Sequence, residues 1–153
     1  MKNKTIKELL EFSVINIDKP RGPTSFSVSD YVRKRLRELQ EKYNANVKKT
    51  SHFGTLDPNV TGVLPIAIGR ACRLTGFFIG HYKTYIGVIH VNNKINTGKL
   101  QEIINKNFKG KIKQTPPIKS RVKREERERH VREWKLLEAD ETGNKFLFRA
   151  DVE

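Results

Sequence analysis

The sequence predicts an α+β fold, with a mixed or antiparallel sheet flanked by helices, and three observations carry that prediction. Helical and strand-like segments interleave without strict β-α-β alternation. Residues 25–43 and 100–108 repeat apolar side chains at three- and four-residue spacing, the period of a helix with one buried face. Residues 134–152 read as two strands joined by a Gly-containing turn, which is an antiparallel hairpin. At 153 residues the chain fits one domain of ordinary size and is long enough to bury a core.

Taken in order, residues 5–11 form a short lead-in helix or turn, and V-I-N-I at 14–17 a short strand. The strand stops at D-K-P-R-G-P-T-S, where two prolines and a glycine mark a loop. The helix over 25–43 puts Val28, Tyr31, Val32, Leu36 and Leu39 on one face, with Ser25 or Ser27 as its N-cap. Residues 44–51 are a polar connector, and V-L-P-I-A-I after Gly62 supports the preceding loop from below. A helix over 70–79 packs Leu74, Phe77 and Phe78, with Cys72 as a small core residue. The strand T-Y-I-G-V-I-H-V at 84–91 is apolar on both faces and therefore expected to be central. Helix 100–108 turns Leu100, Ile103, Ile104 and Phe108 inward, and 114–133 is basic and proline-marked. In the final hairpin, W-K-L-L-E-A and K-F-L-F-R-A-D-V, residues Phe146, Phe148, Ala150 and Val152 alternate with outward neighbours. With no element after it, this hairpin is expected to leave a sheet edge uncovered and the isolated chain marginally stable.

Charge narrows the function classes. Lys and Arg number 31 against 17 Asp and Glu, a net charge of +14 that favours polyanionic partners. No apolar run approaches a membrane span, and the N-terminus lacks the apolar core and cleavage site of a signal peptide. Nucleic acid is therefore the expected partner, and no membrane. The single cysteine makes no internal disulfide or Cys-based metal cluster, in keeping with a cytoplasmic location. The four histidines lack metal-ligand spacing, and no nucleotide-binding glycine loop is present, so neither metal nor cofactor is expected.

The stretch H-F-G-T-L-D-P-N-V-T-G-V-L-P at 52–65 holds the main chemical candidate, Asp57. An Asp before Pro takes an extended or turn conformation. Gly54 and Thr55 are expected to make a tight, hydrogen-bonding approach that holds it, with nearby positive charge keeping it ionised. An ionised carboxylate serves as nucleophile or base, whereas on local chemistry alone an Asp that merely starts a turn is the simpler account. The loop K-P-R-G-P-T-S has a turn-shaping role, or Lys19 and Arg21 are cations beside a helix N-terminus. Tyr85 at the start of a strand either fills a core or stacks on a base, and Lys83 beside it adds charge. Residues 119–135 hold eight Lys or Arg against four Glu, as suited to a solvated face as to phosphate contact.

Together I-D-K-P-R-G-P-T-S, S-H-F-G-T-L-D-P-N-V-T-G-V-L-P-I-A-I-G-R-A-C-R-L and K-T-Y-I-G-V closely resemble the TruB-type pseudouridine synthases. The lead-in I-K-E-L-L-E-F-S-V-I-N-I-D-K-P, Asn59 and Val60, and I-K-Q-T-P-P-I-K-S-R-V-K-R are similar to the dyskerin branch, the catalytic subunit of H/ACA guide-RNA particles. The resemblance implies the pseudouridine synthase catalytic-domain fold and conversion of uridine to pseudouridine in rRNA or tRNA. It makes Asp57 the catalytic carboxylate and Tyr85 the ring that packs on the target base. It makes His52 an RNA contact near the target, with Lys19 and Pro20 bordering the site. Lys83 and Arg70 are further RNA contacts, and Gly54, Thr55, Leu56 and Pro58 shape the active-site loop. Implied partners are RNA, an H/ACA guide RNA and small H/ACA proteins, in the cytoplasm, or the nucleolus of a eukaryote.

This sequence also departs from the family. Ser51 and Phe53 replace the small residues that commonly flank the histidine. A strand carrying G-T-Y-I-R, whose arginine pairs with the catalytic aspartate, and a PUA domain normally follow. Residues 1–153 are accordingly expected to be the N-terminal part of a catalytic domain truncated at its C-terminus. Two alternatives stand beside a guide-directed enzyme: a guide-free synthase acting on the tRNA T-loop, and a non-catalytic RNA-binding fragment of the same fold.

Overall fold

A computed structural model describes residues 3–78, 80–116, 118 and 123–153. The chain separates into two compact units, one ending at Gly80 and the other beginning at His81, where length alone fits a single domain.

The first unit opens with α1 (Ile6–Glu11), started by a reciprocal capping box. The Thr5 N–H donates to Glu8 Oε2 at 2.7 Å, and the Glu8 N–H to Thr5 Oγ1 at 3.2 Å. Strand β1 (Phe12–Lys19) follows, then α2 (Ser25–Arg37), β2 (Thr50–His52) and β3 (Gly62–Gly69). The sheet order is β1-β3-β2, antiparallel throughout. The apolar run expected to support a loop is thus the central strand of a sheet. Although Val63 is exposed, from Leu64 onward both faces of the strand are covered, which explains the continuous rather than alternating apolar pattern. Leu64 and Ile66 pack with Val28 and Val32 of α2, Ile68 with Leu10 and Val47, and Ala67 with Phe53 and Ala71.

Helix α2 ends at Arg37 rather than 43. The Leu39 and Gln40 N–H groups reach back three residues, Asn44 takes a φ of 45°, and the Ala45 N–H bonds Gln40 O at 3.0 Å. This reversal drops Val47 of the supposedly polar connector into the core. The N-cap is Thr24, not Ser25 or Ser27: its side chain accepts the Ser27 N–H at 3.0 Å. The helix expected over 70–79 is a 3-10 turn (Arg70–Leu74) followed by α3 (Thr75–Phe78), with position 79 outside the described residues. Leu74 and half-buried Cys72 pack against the Phe53 cluster, but Phe77 is 72% exposed.

The second unit holds β4 (Lys83–His90), α4 (Thr97–Phe108), β5 (Gly110–Gln114), β6 (Arg127–Ala139) and β7 (Lys145–Val152). Its sheet runs β4-β7-β6-β5, again wholly antiparallel. Asn96 caps α4 through the Gly98 and Lys99 N–H groups, and Leu100 and Ile104 bury against Leu136 and Phe146. Ile103 and Phe108, expected inside, lie on the helix shoulder at 40% and 42% exposed. Strand β4 is not central: it pairs with β7 and forms an edge among the described residues, with Ile86 and Val88 exposed. The terminal strand β7 lies between β4 and β6, so the uncovered edge expected at the terminal hairpin is found at β4 and β5 instead. Part of the basic run is strand β6; Glu128 within it pairs with Lys111 at 3.0 Å, and Glu126 just before it with Lys113 at 3.1 Å. Pro117 and residues 119–122 of the P-P-I-K-S-R-V-K-R stretch lie outside the described residues.

Candidate active site

Asp57 sits at the head of a tight turn whose closure uses its backbone and not its side chain. The Val60 N–H donates to the Asp57 carbonyl at 3.0 Å, with Pro58 and Asn59 at the two central positions. Pro supplies the fixed φ that position prefers. Both accounts of Asp57 are therefore compatible: it starts a turn, and its carboxylate stays exposed, with no hydrogen bond or ion pair among the described residues.

The loop is pinned on either side of that turn. On the N-terminal side, Phe53 is buried and stacks on Phe78, ring centroids 4.2 Å apart. The Leu56 side chain packs on the Val28, Val32, Leu64 and Ile66 cluster. Its backbone is gripped by Ser25, which accepts the Leu56 N–H at 2.9 Å and donates to the Leu56 carbonyl at 3.0 Å. Ser25 itself is 1% exposed. On the C-terminal side, the Lys19 ammonium donates to the carbonyls of Val60 at 2.8 Å, Pro20 at 2.9 Å and Pro58 at 3.3 Å. The Gly22 N–H adds a bond to Pro58 O at 2.7 Å. Gly62 then turns the chain into β3 with φ of 149°, a conformation that favours glycine.

The structure thus brings together Lys19, Pro20, Leu56, Asp57 and Pro58, and it revises how they are held. The tight approach expected at Gly54 and Thr55 is made one residue later, by Ser25 on Leu56. Open space surrounds the position of a Cβ on Gly54, and Thr55 is exposed. Lys19, read as a cation beside the site, is fully buried with three acceptors for its three N–H bonds. Ser25 and the Gly22 N–H went unrecognised as loop anchors. Their partners are main-chain groups, which leave no mark on a sequence.

His52 is the last residue of β2, paired with Ile66, and its Nδ1 is buried without a hydrogen-bond partner among the described residues. Arg70 follows β3 at the end remote from Asp57, its guanidinium 5.7 Å from the Phe12 ring centroid. Tyr85 and Lys83 belong to the second unit, on β4 opposite Ala150 and Val152. Tyr85 is 47% exposed, and the Lys83 ammonium donates to His81 O at 2.9 Å.

Comparison with known proteins assigns this architecture to the pseudouridine synthase fold. It superposes on a protein in a crystal structure of a Cbf5-Nop10-Gar1 complex with a TM-score of 0.84 and 37% identity, covering 98% of this chain and 42% of that one. An H/ACA RNP bound to a substrate RNA containing 2′-deoxyuridine gives a TM-score of 0.78 at 33% identity, over 98% and 40%. Residues 42–153 match the family described as TruB family pseudouridylate synthase (N terminal domain), and the chain belongs to that family. Among its relatives, the probable tRNA pseudouridine synthase B of Thermococcus onnurineus is 40% identical over 94% of this chain and 40% of its own length. That of Methanothermobacter thermautotrophicus is 39% identical over 98% and 43%. The chain spans about two fifths of the length of these relatives.

Proposed function

We propose that this chain supplies the catalytic carboxylate of an RNA pseudouridine synthase that is directed by an H/ACA-type guide RNA to uridines of rRNA or tRNA. The observation that carries this is the exposed Asp57 carboxylate on a loop pinned by Ser25, Lys19 and Gly22, in a chain of the TruB family. The target uridine is extruded from its stack. The Asp57 carboxylate either attacks the sugar C1′ or acts as a base on the sugar. The N1–C1′ bond breaks, the uracil rotates, C5 bonds to C1′, and the C5 hydrogen leaves to solvent. No net redox change occurs. Tyr85 packs against the target base and His52 contacts RNA beside it. The likeness to proteins crystallised as a Cbf5-Nop10-Gar1 complex and an H/ACA RNP supports a guide RNA and small protein partners. The relatives' name, probable tRNA pseudouridine synthase B, favours the alternative of a guide-free tRNA enzyme.

Tritium release from RNA labelled at uridine C5 tests this, with the chain alone and with guide RNA and small H/ACA proteins added. The expected result is release that needs guide and falls by about 10²–10⁴-fold in Asp57→Ala. Release without guide selects the tRNA enzyme. Release that is the same in Asp57→Ala sinks the catalytic role, and RNA binding with no release in any mixture identifies a non-catalytic RNA-binding fragment.

A further inference from the structure

A second basic feature lies away from Asp57. A cleft of about 450 Å³ opens between Glu11, residues 46–49 and the turn that begins at Gly69. Lys48, Lys49, Arg70 and Arg73 line it, all exposed, against Glu11 as the acidic residue of the lining. None of the four cations forms an ion pair among the described residues. The main chain beneath them is fixed. The Gly69 N–H donates to Lys49 O at 2.9 Å, and a Cβ on Gly69 would fall 2.2 Å from the Glu11 carbonyl oxygen. Three backbone segments therefore meet at one point, with their cationic side chains directed by position rather than by salt bridges.

Register separates this cleft from the carboxylate. Strands β1 and β3 pair from Lys19 against Gly62, beside the Asp57 loop, to Phe12 against Gly69, at the cleft. At about 3.3 Å per residue the two features stand roughly 23 Å apart along the sheet. We propose that this cleft binds phosphates of the RNA backbone, remote from the nucleotide presented to Asp57. The proposal rests on the RNA-modifying function above. An acidic protein is the less fitting occupant: a protein interface draws much of its affinity from large apolar and aromatic anchors in packed pockets, and no lining residue is aromatic or aliphatic. Guanidinium and ammonium groups around an open cleft suit phosphates instead, in a chain of net charge +14. At a duplex rise of about 3.4 Å the two points stand about seven base pairs apart.

Fluorescence anisotropy of the full chain across a salt series tests this, using a labelled uridine-containing hairpin of about twenty nucleotides and a labelled oligonucleotide of about five. In Lys48→Ala/Lys49→Ala/Arg73→Ala the slope of log affinity against log salt on the hairpin should become shallower by about two, at about 0.7 per lost phosphate contact. The short oligonucleotide can occupy the cleft by itself, so its binding should lose salt dependence in the same direction, and Lys48→Arg/Lys49→Arg/Arg73→Lys should match the parent on both. An unchanged hairpin slope in the alanine variant overturns the proposal. So does a loss confined to binding of polyglutamate, which would assign the cleft to an acidic protein. Failure of tritium release with the hairpin effect intact would strike the catalytic function alone.

Discussion

Lys19 is fully buried, and three carbonyl oxygens accept from its ammonium. Removing the side chain takes the donor from the Pro20 and Val60 carbonyls, leaves Pro58 O with the Gly22 N–H alone, and empties the space it filled. Lys19→Ala should therefore lower stability by about 3 kcal/mol or more, read by denaturant unfolding. It should leave the salt dependence of RNA binding unchanged, whereas a direct phosphate ligand would reduce the slope. Ser25→Ala should cost about 1–3 kcal/mol, since it orphans the Leu56 N–H in a buried setting. It should also slow tritium release while Asp57 is intact. Neither side chain announced this job in the sequence. A lysine before Pro resembles a solvent-facing cation, and a serine after Thr resembles a helix cap. Asp57 stands out as a candidate because its neighbours on both sides spell out a long, ordered string, while its local geometry matches any Asp-Pro turn.

Elements were legible wherever one face meets solvent. The final hairpin followed from Phe146, Phe148, Ala150 and Val152 alternating along the strand; Phe146 and Ala150 are buried and Phe148 and Val152 half-buried, but Asp151, expected outward, is buried too. Strand β3 was opaque for the opposite reason: buried on both faces and holding Pro65, it lacks alternation and looks like loop support. Pro65 fits because its carbonyl, which needs no N–H, accepts from Phe53 at 3.0 Å. Strand β4 was misplaced because an apolar edge strand and an apolar central strand read alike. The turn between β6 and β7 carries a pH signature. The Thr142 hydroxyl at 2.5 Å, then the Lys145, Asn144 and Gly143 N–H groups, hold the Asp140 carboxyl down from 3.8 to about 2. A carboxylate depressed on folding stabilises fully above its unfolded value, and that contribution fades as pH falls from 3.8 toward about 2. Asp140→Asn should flatten the decline of the unfolding midpoint across that window and leave it unchanged in slope above it. An identical acid limb in both proteins would remove Asp140 from the account.

At the scale of the whole molecule, each unit has its own sheet and its own buried clusters. Damage to one core should therefore be read locally. At Gly69, φ is 61° and a Cβ would collide with backbone, so Gly69→Ala should cost about 2 kcal/mol or more. Amide hydrogen exchange should quicken across β1 and β3, while β6 and β7 keep their protection. Equal loss in both sheets would show that the units unfold together. The two-unit division was not visible in length or composition, because neither Pro, Gly nor charge density changes sharply near residue 80. Overall charge, by contrast, was readable at once: a net +14 favours polyanionic partners whatever the fold.

The Lys19 clamp also bears on how such a loop diversifies. It grips residues 58 and 60 only through their carbonyl oxygens, which every amino acid possesses. The side chains of Asn59 and Val60 take no part in the fastening and are exposed. Mutational drift at those two positions can thus redraw the rim beside the carboxylate at little mechanical risk, while the mooring beneath it stays the same.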